Sequence, residues 1–194
     1  MTFGDSLARI IRFEDQYLVV VDKPAGLPSQ AGVDGRPGVY ELLGERHRYV
    51  GLHHRLDVSA SGLMVLSLSK KANRGLAHQI QARRLDRRYQ VLVLGDPGDE
   101  GVWTAPIDHR EAETHWRALR RGTTSLIEAR LVTGRTHQIR LHALGAGHPV
   151  LGDRRHGGAA GRLSPRLALH AWRLGLQHPV TGEALRFESP AEFA

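Results

Sequence analysis

The stretch RYQVLVLGDPG limits the folds open to this chain. An almost unbroken apolar run from Tyr89 to Leu94 is the length of a buried strand, and Gly95, Asp96, Pro97 and Gly98 stop it with a turn. Comparable short runs recur at Tyr17 to Val21, Leu63 to Leu68, Ser125 to Val132, Trp172 to Leu176 and Leu185 to Glu188. In WRLGLQ and LRFE, apolar and polar residues alternate, which predicts strands with one covered face and one wet face. HPVTGE between them carries Pro179 and Gly182 for a hairpin-type turn.

Helical segments are fewer. Ser69 can cap a helix whose apolar stripe is Ala72, Leu76, Ala77 and Ile80, with Lys70, Lys71, Arg74 and Arg83 on its other faces. A second, short helix is predicted from near Thr136 to Gly145 or Gly147. Many strands with few helices, in no strict alternation, predict an α+β fold rather than a doubly wound parallel sheet. At 194 residues the chain suffices for one substantial core, so a single domain over 1–194 is expected. The GGAAG segment, Gly157 to Gly161, is expected to be a mobile loop.

The 27 Lys+Arg against 20 Asp+Glu give a formal charge of +7, so the surface should attract polyanions. The chain contains 0 Cys, which excludes disulfides, thiolate nucleophiles, cysteine zinc sites and iron–sulfur clusters, and suits a reducing cytoplasm. No stretch approaches the roughly 20 apolar residues of a membrane helix, and no membrane association is expected.

Chemistry concentrates in two segments. GLHHRLDVSASGLMVL sets His54, Arg55 and Asp57 on a loop just before a buried strand, where functional groups are often mounted. Taken alone, Asp57 there reads as a turn-capping aspartate. RLVTGRTHQIRLHALGAGHPVLGD combines a strand, a turn, a basic helix and a second turn, and alone reads as a polar connection with Arg135 and Arg140 in solvent. His137, His142, His148 and His156 match no zinc-protease helix, so metal is not expected.

Taken together and in order, HRLDVSASG, RRYQVLV, GRTHQIRLHALGAGHPVLGD and LALHAWRLGLQHPVTGE resemble the RluA family of RNA pseudouridine synthases. FEDQYLVVVDKPAGLPS resembles the family's opening strand and its lysine, proline, glycine turn, here Lys23, Pro24 and Gly26. The resemblance spans about residues 12 to 190. It implies a mixed, mostly antiparallel central sheet with flanking helices and loops and an active-site cleft across the sheet. By position, it assigns Asp57 as the catalytic aspartate and Arg55 as the arginine entering RNA where the target base has left. Tyr89 becomes the tyrosine under the flipped uracil, Arg140 the basic partner of the aspartate, and Leu141 a pocket-lining residue. His54 is grouped with Arg55 as substrate-binding. Two departures stand out. Ala60 replaces the usual threonine before Ser61 and Gly62, which removes at most a hydrogen bond worth about 1 kcal/mol. Arg87 stands where a lysine is common and keeps its charge.

The reaction so implied breaks N1–C1′ of uridine, rotates the base and joins C5 to C1′. It exchanges no electrons and no external group, so no cofactor is expected. The target nucleotide must leave the stack to be reached. Asp57 suits nucleophilic attack on sugar or base, or removal of a sugar proton; Arg140 would keep it ionised and oriented. Two readings from other classes compete: a catalytically inactive RNA-binding protein, and a hydrolase releasing free uracil. No RNA-binding domain is expected before the first motif, so a structured stem-loop of transfer or ribosomal RNA is the expected partner, and a monomer is expected.

Overall fold

A computed structural model describes residues 3–32 and 35–193. The chain forms two compact units, one of residues 1–86 and 173–189, the other of residues 87–172 and 190–194.

In the first unit, helix α1 (Phe3–Ile10) leads into strands β1 (Ile11–Glu14) and β2 (Leu18–Lys23). Helix α2 (Val39–Gly44), the short β3 (Gly51–Leu52), β4 (Ser61–Ser67) and helix α3 (Lys70–Gln81) follow. β2 lies antiparallel between β1 and β4, and β3 also pairs with β4. β4 is buried along its whole length, which is why SGLMVLS reads as continuous apolar and small residues rather than alternating ones. The Ser69 hydroxyl caps α3 by accepting the Ala72 N–H, as the sequence predicts. That start aims Leu76 into a core of Leu18, Val20, Leu63, Val65, Leu174 and Leu176. Each fully buried side chain of this kind contributes about 1.5–3 kcal/mol.

The C-terminal part of β9 (Leu169–Gln177) and β10 (Ala184–Glu188) complete this unit as an antiparallel hairpin. Its turn is fastened by His178, whose Nδ1 accepts the N–H groups of Val180 and Thr181 while Nε2 meets Asp15 Oδ2 at 2.9 Å. Gly75 of α3 faces this turn, where a Cβ would lie 2.8 Å from Pro179 Cβ.

In the second unit, β5 (Asp86–Leu94), β8 (Thr124–Leu131), β7 (Thr114–Arg120) and β6 (Glu100–Trp103) are neighbours in that order. The pairings β5–β8, β7–β8 and β6–β7 are all antiparallel. Helix α4 (Gln138–Gly145) follows β8.

The α+β class therefore holds, and all six expected strands and both expected helices form. Strands β1, β3, β6 and β7 and helices α1 and α2 were not anticipated. The expectation of a mobile GGAAG loop is corrected. Gly158–Arg162 is a 3-10 turn in which Ala160 is 1% exposed and packs with Leu151 and Ala168. Its glycines serve close approach, since a Cβ at Gly157 or Gly161 would lie 2.7 or 2.8 Å from the Asp153 carbonyl oxygen.

Candidate active site

The loop carrying Asp57 is fastened on both sides. Before it, the buried Ser29 hydroxyl donates to the Leu56 carbonyl at 2.8 Å and accepts the Leu56 N–H at 3.0 Å. After it, the Gly26 N–H donates to the Val58 carbonyl at 2.7 Å, and the Ala60 N–H closes a turn onto the Asp57 carbonyl at 3.1 Å. Gly26 does this at φ +90°, a conformation that favours glycine. Asp57 itself is half-buried.

Lys23, at the end of β2, is 0% exposed and ties these pieces together. Its Nζ lies 2.6 Å from the Ala60 carbonyl oxygen, 2.8 Å from that of Leu27, 3.0 Å from that of Pro24 and 3.3 Å from that of Val58. Burial pulls the Lys23 pKa down to about 8, although the negative charge of Asp57 acts to raise it. An ammonium group thus stands beside the aspartate and holds the backbone that presents it. The family-level departure at Ala60 is harmless in this respect, because the backbone oxygen of residue 60, not its side chain, receives the lysine.

The neighbours of Asp57 differ in character. His54 is buried, and its Nε2 accepts the Val65 N–H at 3.1 Å, so it braces the loop against β4. Arg55 is exposed and makes no hydrogen bond or ion pair among the described residues.

In the second unit, Tyr89 is buried on β5 and registers with Ala129 of β8, which registers with Trp116 of β7 and it in turn with Gly101 of β6. These four residues share one sheet face, because strand partners in register point the same way. Trp103 lies against Trp116 with ring centroids 5.3 Å apart.

Arg140 is not in solvent, as its segment alone suggested, but 5% exposed. It grips the buried Asp153 in a two-pronged pair, Nε to Oδ2 at 2.8 Å and Nη2 to Oδ1 at 2.7 Å. Asp153 Oδ1 also accepts the N–H groups of Arg155 and His156. Burial pushes the Asp153 carboxyl up, but the hydrogen bonds and charge of Arg140, with those two N–H groups, outweigh it and hold the group below its ordinary range.

The start of α4 is pinned as firmly. Gln138 Oε1 accepts the Thr133 hydroxyl at 2.8 Å and the Arg135 N–H at 2.9 Å, while Nε2 donates to the Glu113 carbonyl and Thr114 Oγ1. His137, just before it, adopts φ +55° and its Nδ1 lies 2.9 Å from His156 Nε2. His142 is held by Thr114 Oγ1 and the Ala105 carbonyl. Leu141 is half-buried on the same helix. Sequence reasoning passed over Asp153 and Gln138 as partners. The GHPVLGD and THQIR motifs contain both, but nothing in a motif states which side chains bond each other.

These features define a class. The chain belongs to the RNA pseudouridylate synthase family, a class of isomerases, whose family model matches residues 17–144 and so includes Asp57, Tyr89 and Arg140. Among individual relatives, it is 35% identical to the dual-specificity RNA pseudouridine synthase RluA of Pasteurella multocida, over 97% of this chain and 95% of the other. It is 41% identical to the ribosomal large subunit pseudouridine synthase D of Nitrosomonas europaea, over 93% of this chain but only 61% of that longer protein. The fold matches the solved human RNA pseudouridylate synthase domain containing 4, with a TM-score of 0.75 at 24% identity over 98% of this chain and 92% of that one. No helix among the described residues is long and apolar enough to cross a membrane.

Proposed function

We propose that this protein converts uridines to pseudouridine in a structured RNA, a stem-loop of ribosomal or transfer RNA, with Asp57 as the essential carboxylate. The observation that carries this reading is the clamped Asp57 loop: a half-buried aspartate held by Ser29, Gly26 and the buried Lys23, inside the segment that matches the family. A turn cap needs no such fastening, whereas a reacting group must be held to within a fraction of an ångström.

In the proposed reaction the target nucleotide leaves the stack and its uracil lies on Tyr89. Arg55, exposed and uncommitted, fills the space the base leaves. Asp57 acts as nucleophile or base while N1–C1′ breaks; C5–C1′ then forms, the C5 proton departs and N1 gains one, so that mass is unchanged. Arg140, anchored by Asp153, takes the part of the basic residue that the family resemblance pairs with the aspartate, and Leu141 that of a pocket-lining apolar residue. Redox and group transfer play no part, so the reaction calls for no cofactor.

Support for ribosomal RNA comes from the name of the Nitrosomonas relative, and for more than one RNA class from the dual-specificity relative. The test is incubation of the purified protein with ribosomal and transfer RNA transcripts, followed by mass-neutral pseudouridine detection. Appearance of pseudouridine without free uracil is expected. Free uracil would instead indicate the hydrolase, and binding without conversion the inactive binding protein.

A further inference from the structure

β5 carries three consecutive charged residues, Asp86, Arg87 and Arg88, and two of them are neutralised. Asp86 Oδ2 lies 3.3 Å from Arg173 Nε, and Arg88 Nη1 lies 3.1 Å from Glu128 Oε1. Arg87 differs. Its Nε is shut away from solvent without an acceptor, and its side chain makes no ion pair or hydrogen bond among the described residues. Alternation along the strand sends Arg87 to the face bearing Tyr89 and sends Asp86 and Arg88 to the other. The guanidinium lies against Gly134, where a Cβ would come 3.8 Å from Nη2 and 4.0 Å from Nη1. A side chain larger than glycine's at 134 would begin to cover it.

We propose that Arg87 is a phosphate-binding residue that grips a backbone phosphate flanking the nucleotide whose base lies on Tyr89. The inference rests on the reading of Tyr89 as the uracil platform. Residues two apart on a strand are about 6.8 Å apart, within the reach of one nucleotide from base to phosphate. A guanidinium offers paired N–H donors that match phosphate oxygens, and an unmatched, partly buried arginine is held ready for such an anion. Phosphate contacts of this kind fix register on the RNA without reading sequence. Arg87 would therefore hold the nucleotide in register on Tyr89.

The experiment measures RNA binding by the full chain against salt, for the wild type, Arg87→Gln and Gly134→Val. It uses substrate RNA in native form and with an uncharged methylphosphonate at the 5′ or the 3′ phosphate of the target uridine. Arg87→Gln is expected to bind on the order of tenfold more weakly, with a log–log salt slope shallower by about 1. Gly134→Val keeps the charge but shields it, and should weaken binding in the same direction. One methylphosphonate should weaken the wild type and leave Arg87→Gln nearly unaffected. If both methylphosphonates weaken the wild type and Arg87→Gln equally, or the salt slope is unchanged, the proposal is overturned. Pseudouridine formation by the wild type is scored separately, so failure of the synthase reading is distinguishable from failure of the phosphate contact.

Discussion

Lys23 Nζ donates to the Ala60 carbonyl at 2.6 Å, joining the end of β2 to the far side of the Asp57 loop through a side chain that is 0% exposed. Lys23→Met keeps the volume but strands carbonyls in the interior. It is expected to cost about 2–4 kcal/mol, since each buried polar group left unmatched costs about 1–3 kcal/mol. Urea unfolding of the two proteins measures this; equal midpoints would show that the lysine holds nothing.

The same residue gives a pH signature. Its pKa falls from 10.5 to about 8 on folding, so between those values the unfolded chain binds more protons than the folded one. This group therefore makes stability rise as pH increases from 8 towards 10.5. Activity should move the other way, falling above about pH 8 as the ammonium beside Asp57 loses its charge. Parallel unfolding and rate measurements across this range check both signs, and an activity plateau up to pH 10 would count against the role of the charge.

Asp153 behaves oppositely. Its carboxyl is held below its ordinary value of 3.8, so its contribution is complete above that value and is lost as pH falls through the lower folded pKa. Arg140→Met leaves this buried carboxylate without its partner, and breaking a buried pair from one side costs about 3–5 kcal/mol. Replacing both, with Asp153→Leu added, should recover part of that stability without restoring activity. Calorimetry and turnover on the single and double variants separate the structural from the catalytic share.

The fold was legible where one signal dominated. RYQVLVL reads as a strand because its short apolar run ends in a glycine- and proline-rich turn, and Tyr89, Val91 and Val93 are buried while Gln90, Leu92 and Leu94 on the other face are only half-buried. Ser69 reads as a cap because its hydroxyl satisfies the Ala72 N–H. β7 escaped although Thr114 and Trp116 are buried and His115 and Arg117 are not; its alternation is carried by polar and aromatic residues rather than aliphatic ones. GGAAG was misread because glycine that permits motion and glycine that permits close packing look alike as letters. At the candidate site, the resemblance pointed to Asp57, Tyr89 and Arg140. The grip of Arg140 on Asp153 and the four carbonyls around Lys23 depend on side-chain placement in three dimensions, which no local pattern encodes.

Arg55 is exposed and uncommitted, as a residue inserted into RNA would need to be. Arg55→Ala is expected to lower conversion of a stem-loop more than that of an RNA whose target uridine is already unpaired, because it removes what offsets an unstacking cost of a few kcal/mol. Competition between the two RNAs in one reaction measures this, and equal losses would remove the wedge role.

The central claim is that Asp57 performs the isomerisation, and Asp57→Asn tests it most directly. The amide is nearly the same size but is neither nucleophile nor base. The measurement is pseudouridine formed in a single turnover, with variant in excess over RNA, alongside binding affinity and unfolding midpoint. The account predicts a folded protein that binds RNA within a few-fold of the wild type and forms no detectable pseudouridine. Conversion at even one hundredth of the wild-type rate, in protein shown by mass to retain the asparagine, would contradict it.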